Sequence, residues 1–279
     1  MAEVNRDFEK MDPEEYRQRK QQERSDVFEM LSQSTQSLLK PEELQQYLDL
    51  QSRFLQYSVS NVLLIKAQNP EATWVRTFDE WKSDNVSLLK GETGILAMES
   101  SYYQKQDVSM GRSMKVARLF DISQTNAANR QITKPSYKDV PGYINEVSGN
   151  RVQTSEQLSE GIDGLWDQES GQISIRPDLS PDREFFVTAR EVCAMELAGE
   201  SAGREDVLPY AECAAYMLAR RYGLEAEKPD LQKLTEHYPG MEEKEVRSEL
   251  SRMKNTAAVM DARLMEARYR DREAKEAER

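Results

Sequence analysis

The stretch ATWVRTF, residues 72–78, is where the pattern of this chain changes. Before it, apolar residues recur at helical spacing; from it onward they alternate. A switch from a period of 3.6 to a period of 2 predicts helices followed by a sheet. On its N-terminal side, SDVFEMLSQSTQSLL (25–39) carries Val27, Phe28, Leu31, Leu38 and Leu39 at helical spacing. KPEELQQYLDLQSRFLQYSVSNVLLIKAQNP (40–70) opens with Pro41 at a first helical position and closes at Pro70, which predicts one long helix or a broken pair. On its C-terminal side, DEWKSDNVSLL (79–89) reads as a short helix or loop and KGETG (90–94) as a turn. ILAMESSYY (95–103) and KVARLFDISQT (115–125) read as strands, joined through a connection that contains Gly111. The expected class is α+β: N-terminal helices with a small, mostly antiparallel sheet.

Further outward the organisation is coarser. Residues 1–24 are charged and Gln-rich, and predict a frayed helix or a disordered arm. Residues 25–135 form a first domain, and a Pro/Gly/Asn-rich passage makes 136–152 a linker. A second domain, 153–228, holds a predicted helix at TSEQLSEGI (154–162) and a hairpin in GLWDQESGQISIRPDL (164–179), turned at Glu169-Ser170-Gly171. Two helices follow, in SPDREFFVTAREVCAMELAG (180–199) and DVLPYAECAAYMLARRYGL (206–224). The charged tail, 229–279, is helical, with Leu250, Met253, Ala257, Met260 and Leu264 on a 3.5-residue period. Such a stripe packs inside a helical pair or forms a self-association seam.

Composition narrows the function. The 279 residues carry a net charge of −12, which argues against coating nucleic acid by bulk electrostatics. The charge is uneven: residues 51–135 hold 11 Lys+Arg against 8 Asp+Glu, a net of +3, whereas residues 154–216 hold 4 against 14, a net of −10. No run of residues is long and apolar enough to span a bilayer, and the first twenty lack the apolar core of a secretory signal, so a cytoplasmic location and no membrane partner are expected. Cys193 and Cys213 lie in apolar helical contexts and read as two reduced, buried thiols. There is no internal repeat, no Walker-type loop and no dinucleotide glycine fingerprint.

A series of pieces in the first domain resembles the N-terminal domain of ArdC-type antirestriction proteins and related LtrC-like proteins of mobile elements. They are Tyr57-Ser58, Asn61 with the Val-Leu-Leu-Ile after it, and Gln68-Asn69-Pro70. Trp74, Phe78, Trp81, Lys90-Gly91-Glu92 with Gly94, and Phe120-Asp121-Ile122-Ser123-Gln124-Thr125 complete the series. The resemblance covers about residues 26–130. It implies a domain that binds single-stranded DNA, paired with a zinc-metallopeptidase-like domain. The second half is similar to that partner in order: the hairpin GQISIRP precedes AREVCA, and YAECAAYMLARRYGL supplies Glu212. The fold implied is therefore a degenerate zincin-like helical and hairpin domain, followed by the helical C-terminal tail.

The chemistry departs from that pattern. Zincin catalysis needs two imidazoles one helical turn apart, a third ligand, and a Glu beside the first imidazole to activate the metal-bound water. Here Arg190 and Ala194 stand at the two imidazole positions around Glu191, and the single histidine, His237, is far away. A guanidinium cannot ligate zinc. Cys193, Cys213, Glu191 and Glu212 lack paired ligand spacing. The expectation is no metal, no cofactor and no peptidase activity, with Arg190 either paired with Glu212, with or without Glu191, or pointing to water. For DNA, residues 51–135 offer Trp74, Arg76, Lys82, Lys90, Tyr102, Lys105, Arg112, Lys115 and Arg118 as aromatic platforms and cations. Alternation sets Trp74 and Arg76 on one face and puts Lys115 and Arg118 on opposite faces. The resemblance makes Trp74 and Trp81 match family positions and implies a core place for Trp81. Two functions compete. One is a non-enzymatic single-stranded-DNA-binding accessory protein; the other is an interaction scaffold whose acidic C-terminal half binds a partner protein.

Overall fold

The structure, a computed structural model, describes residues 12–104, 110–127, 138–199 and 202–278. The chain divides into two compact units, each discontinuous in sequence: Met1–Gln36 with Leu63–Gln131, and Ser37–Val62 with Ile132–Arg279. The α+β expectation holds for both.

Unit 1 begins with helix α1 (Pro13–Ser37). Pro13 opens it, Glu14 and Glu15 suit the positive end of its dipole, and Asp12 accepts from the Glu14 N–H at 2.8 Å. Residues 13–24, expected as a frayed helix or a disordered arm, are thus helical, the first half of a helix that buries Val27 and Leu31 farther on. The sheet has strand order β1-β3-β2, all antiparallel, with β1 Val75–Thr77, β2 Ile95–Gln104 and β3 Met110–Asp121. Gly111 lies within β3 rather than in a connection before it. Helix α4 (Phe78–Ser83) follows β1 through a capping box, in which Thr77 Oγ1 accepts from the Glu80 N–H and Glu80 accepts from the Thr77 N–H. Strand β2 is an edge, and the Gln68 side chain occupies part of it. Gln68 Oε1 accepts from the Leu96 N–H at 2.8 Å and Nε2 donates to the Leu96 carbonyl at 2.9 Å, as a neighbouring strand would.

Unit 2 takes helix α2 (Pro41–Arg53) from between the two parts of unit 1. The 40–70 region is a broken pair, α2 and α3 (Val59–Gln68), and the division between the units falls inside α3. Leu44, Tyr47 and Leu48 of α2 are buried, and α2 packs on α7 (Arg204–Tyr222) and α8 (Gln232–His237). A second small sheet has β6 (Ile173–Ile175) at its centre, parallel to β4 (Val152–Thr154) and antiparallel to β5 (Gly164–Trp166). The β5–β6 hairpin turns where Asp167 Oδ1 accepts from the Ser170 N–H at 2.7 Å.

Two segments of unit 2 differ from expectation for identifiable reasons. TSEQLSEGI forms no helix because the Arg176 guanidinium takes the carbonyls of Leu158, Ser159 and Ile162 at 3.0, 2.7 and 2.8 Å. The linker residues are no loose spacer: from Lys138 they form a 3₁₀ turn (Val140–Tyr143) and helix α5 (Ile144–Val147), both packed on α9 (Glu243–Ala277). Tyr143 donates to Asp271 at 2.6 Å, while Asp139 and Glu146 pair with Arg268 and Arg270 at 2.6 and 2.9 Å.

Helix α9 buries Val246, Leu250, Met253, Ala257, Met260, Leu264 and Ala267, and packs against α6 (Pro181–Ala198) and α7. The 3.5-residue stripe is therefore consumed within the chain and does not form the self-association seam.

Candidate functional site

The centre of unit 2 is Glu191. Helix α6 starts cleanly, with Ser180 as N-cap and Pro181 behind it, and buries residues on nearly every side, including Phe185, Val187, Ala189, Val192 and Ala194. Glu191 is buried among these apolar residues, and a charged residue in such a place needs partners. Strand β5 runs close beside α6 at Gly164, where a Cβ would stand 2.2 Å from Val187 Cγ1. Glu191 is fully buried (0 % exposed) and its carboxylate receives four N–H groups. Oε1 accepts from Arg190 Nε and Arg204 Nη2, both at 2.8 Å. Oε2 accepts from Arg204 Nε at 2.7 Å and from the Trp166 backbone N–H at 3.0 Å. Arg204 thus holds Glu191 in a two-point fork. Both guanidiniums also reach the Gly164 carbonyl, at 3.2 and 3.3 Å.

Arg190 does not point to water: it pairs with both Glu191 and, at longer range, Glu212. Its strong partner is its own neighbour, and Glu212 Oε1 lies 4.0 Å from Nη1. Burial pushes the Glu212 carboxyl above the usual carboxylate range, and the Arg190 charge only partly opposes this. Burial alone would lower Arg204, but the hydrogen bond and charge of Glu191 outweigh it and hold the guanidinium above its ordinary value. Arg204 was missed in the sequence. Its signal is positional: it sits in the first turn of α7, beside Glu205 and Asp206, where the helix dipole disfavours a cation unless a carboxylate compensates it. Cys193 and Cys213 are free and buried, and burial raises both thiols.

In unit 1, Trp81 is core, with Nε1 donating to the Phe120 carbonyl at 2.8 Å. Trp74 is half-buried and meets Trp81 edge to face at 5.3 Å. The Arg76 guanidinium lies 4.9 Å from the Trp74 ring and 5.3 Å from the Trp81 ring, and pairs with Asp84. Lys82 and Lys90 are exposed on α4 and in the turn after it. The register pairs Arg76 with Phe120 and Leu96 with Arg118, so Arg76 and Arg118 share a face, while Lys115 is on the other. Arg118 pairs with Glu23 at 2.8 Å, and Lys115 with Glu99 across the strands at 3.1 Å. Tyr102 is opposite Arg112 in the ladder; their side chains, and all of Lys105, lie outside the described residues.

The most regular residues of the first domain are structural ties. Asp121 accepts from the Thr73 and Trp74 N–H groups at 2.8 and 2.9 Å and from the Ser123 N–H and hydroxyl at 3.0 and 2.7 Å. Burial alone would raise its pKa, but these bonds hold it below the usual range. Gln124 accepts from the Asp121 N–H at 3.0 Å and donates to Glu92 and to the Thr93 carbonyl, fixing the KGETG turn from behind. That turn is held as part of the scaffold.

Residues 17–139 match the family described as the N-terminal domain of anti-restriction factor ArdC. Among solved structures, the antirestriction ArdC protein from plasmid R388 is similar in its metal-free form, with a TM-score of 0.54, 14 % identity, and 75 % of this chain and 86 % of that chain covered. Its Mn(II)-bound form is similar at a TM-score of 0.50, 14 % identity, and 75 % and 85 % coverage. No curated protein sequence matches.

A divalent metal does not fit the centre of this chain. Among the described residues no group of three or more His, Cys, Asp or Glu side chains is arranged to hold an ion. Around Glu191 the surrounding donors are N–H groups, which cannot ligate a cation. Also among the described residues, no helix is long and apolar enough to cross a membrane. Residues 17–139 are thus similar to the ArdC N-terminal domain, and the chain has the fold of the plasmid protein over most of its length.

Proposed function

We propose that this protein is a non-enzymatic antirestriction factor that holds single-stranded DNA on unit 1, while unit 2 keeps a peptidase-like framework without its chemistry. The observation that carries the DNA half is the partly exposed Trp74 with the Arg76 guanidinium 4.9 Å from its ring. An aromatic surface bearing a cation is the minimal element on which a base stacks while a phosphate is neutralised. The exposed Lys82 and Lys90 add charge nearby in sequence. The non-enzymatic half is supported by Glu191: a carboxylate already bound by four N–H groups has no lone pair left to act as a general base on water.

A second reading is favoured by a specific observation. Arg76, Lys115 and Arg118 each face a carboxylate, Asp84, Glu99 and Glu23. Cations already paired on their own surface suit a scaffold that binds a protein, and the strongly acidic 154–216 segment suits the same role.

Fluorescence anisotropy of the full chain with a labelled single-stranded oligonucleotide separates the two. The DNA reading expects binding at about 20 mM salt that weakens roughly 20- to 70-fold by about 150 mM, as two or three phosphate contacts require. Trp74→Ala should weaken it by about tenfold at low salt. No binding at low salt leaves the scaffold reading.

A further inference from the structure

We infer that the centre of unit 2 is neutralised by the chain's own cations: Arg190 and Arg204 together supply two positive charges at Glu191, close the space between α6 and α7 to a divalent ion, and tie the start of α7 to α6 and β5. The inference shares the unit 2 half of the proposed function and is independent of DNA binding.

Four observations carry it. The acceptor capacity of Glu191 toward its surroundings is taken by four N–H groups at 2.7–3.0 Å, so an ion would have to displace them. The two guanidiniums are themselves almost buried, 11 % and 10 % exposed, so their charge is little screened. Arg204 stands in the first turn of α7, where the helix end repels it, and its fork onto Glu191 is what makes that place favourable. Both arginines converge on the one Gly164 carbonyl, so strand β5 is fastened by the same two side chains.

The same geometry says what would reopen the site. Positions 190 and 194 are one turn apart on α6, and Glu212 of α7 faces position 190 at 4.0 Å from the present guanidinium. Two imidazoles there with Glu212 make a set of three donors, while Arg204 still holds Glu191.

The test uses the full chain purified without chelators, dialysed against Mn(II) or Zn(II), and read by elemental analysis and thermal melting. The wild type should retain well under one ion per chain and melt at the same temperature with or without EDTA. Arg190→His/Ala194→His should retain about one ion and lose its added stability in EDTA. Arg204→Met should lower the melting temperature of the metal-free protein by on the order of 10 °C. If that chain fails to fold, Arg204→Lys, which keeps the charge but not the fork, gives the graded fall.

Stoichiometric metal in the wild type overturns the inference, as does an Arg204→Met melting curve identical to wild type. A folded Arg190→His/Ala194→His chain that takes up no ion overturns the claim that the guanidinium at position 190 is what excludes it. A wild type that retains metal yet cleaves no unfolded protein substrate leaves the non-enzymatic reading standing while this one falls.

Discussion

At the scale of the residue, the side chains that stand out in the sequence are mostly fasteners. Asp121 collects four donors around one carboxylate, and a charged acceptor of that kind contributes more than a neutral one. Asp121→Asn should destabilise unit 1 by about 2–3 kcal/mol in urea titration. Because the folded carboxyl titrates below its unfolded value, its contribution is present above the ordinary Asp range and is lost as pH falls through the folded value. Glu212 has the opposite sign. Its carboxyl is raised by burial, so the folded state holds the proton more tightly and stability falls as pH rises from the ordinary Glu value through the folded one. Glu212→Gln should therefore raise the melting temperature at neutral pH, and the gain should vanish near pH 4, about where an unfolded Glu is protonated. The opposed faces of Lys115 and Arg118 were legible because alternation decides them, and the core place of Trp81 was legible from the family resemblance. Arg204 was not, since its reason for being at a helix start lies on another helix, thirteen residues back.

At the scale of the element, periodicity was a good guide and composition a poor one. The 3.5-residue stripe of α9 correctly marked a packed face, and each of its large residues should be expensive to truncate. Leu250→Ala or Met260→Ala is expected to cost about 2–5 kcal/mol by chemical denaturation, whereas Val259→Ala on the exposed side should stay within about 0.5 kcal/mol. Light scattering should give these variants and the wild type the same oligomeric state, since the stripe is satisfied internally. Close approach of β5 to α6 gives a second element-scale test: Gly164→Ala drives a methyl into Val187 and should cost about 1–3 kcal/mol. Composition misled at 136–152, where Pro, Gly and Asn read as a spacer. The described residues there are bound to α9 by Tyr143, Asp139 and Glu146, whose partners Asp271, Arg268 and Arg270 are more than a hundred residues ahead. It misled again at TSEQLSEGI, where one arginine claims the carbonyls a helix would need.

At the scale of the whole molecule, the α+β class and the order of the pieces were legible, because short-range pattern determines them. The way the chain is shared between two units was not, because it depends on which distant surface a helix finds. Helix α2 looks like the natural continuation of the first domain, yet its apolar face is covered by α7 and α8. A fragment ending after residue 131 should therefore expose Leu44, Tyr47 and Leu48 and associate on size-exclusion chromatography, while the full chain does not. The same feature sets an order in time. As the chain leaves the ribosome, α2 emerges ahead of the whole β1–β3 sheet, and the helix it needs begins only at residue 204. At about 5–20 residues per second, it waits roughly ten to thirty seconds while the sheet completes itself. For that interval the nascent protein carries one finished unit and one orphaned greasy helix, and it is there, during synthesis, that a chaperone has something to hold.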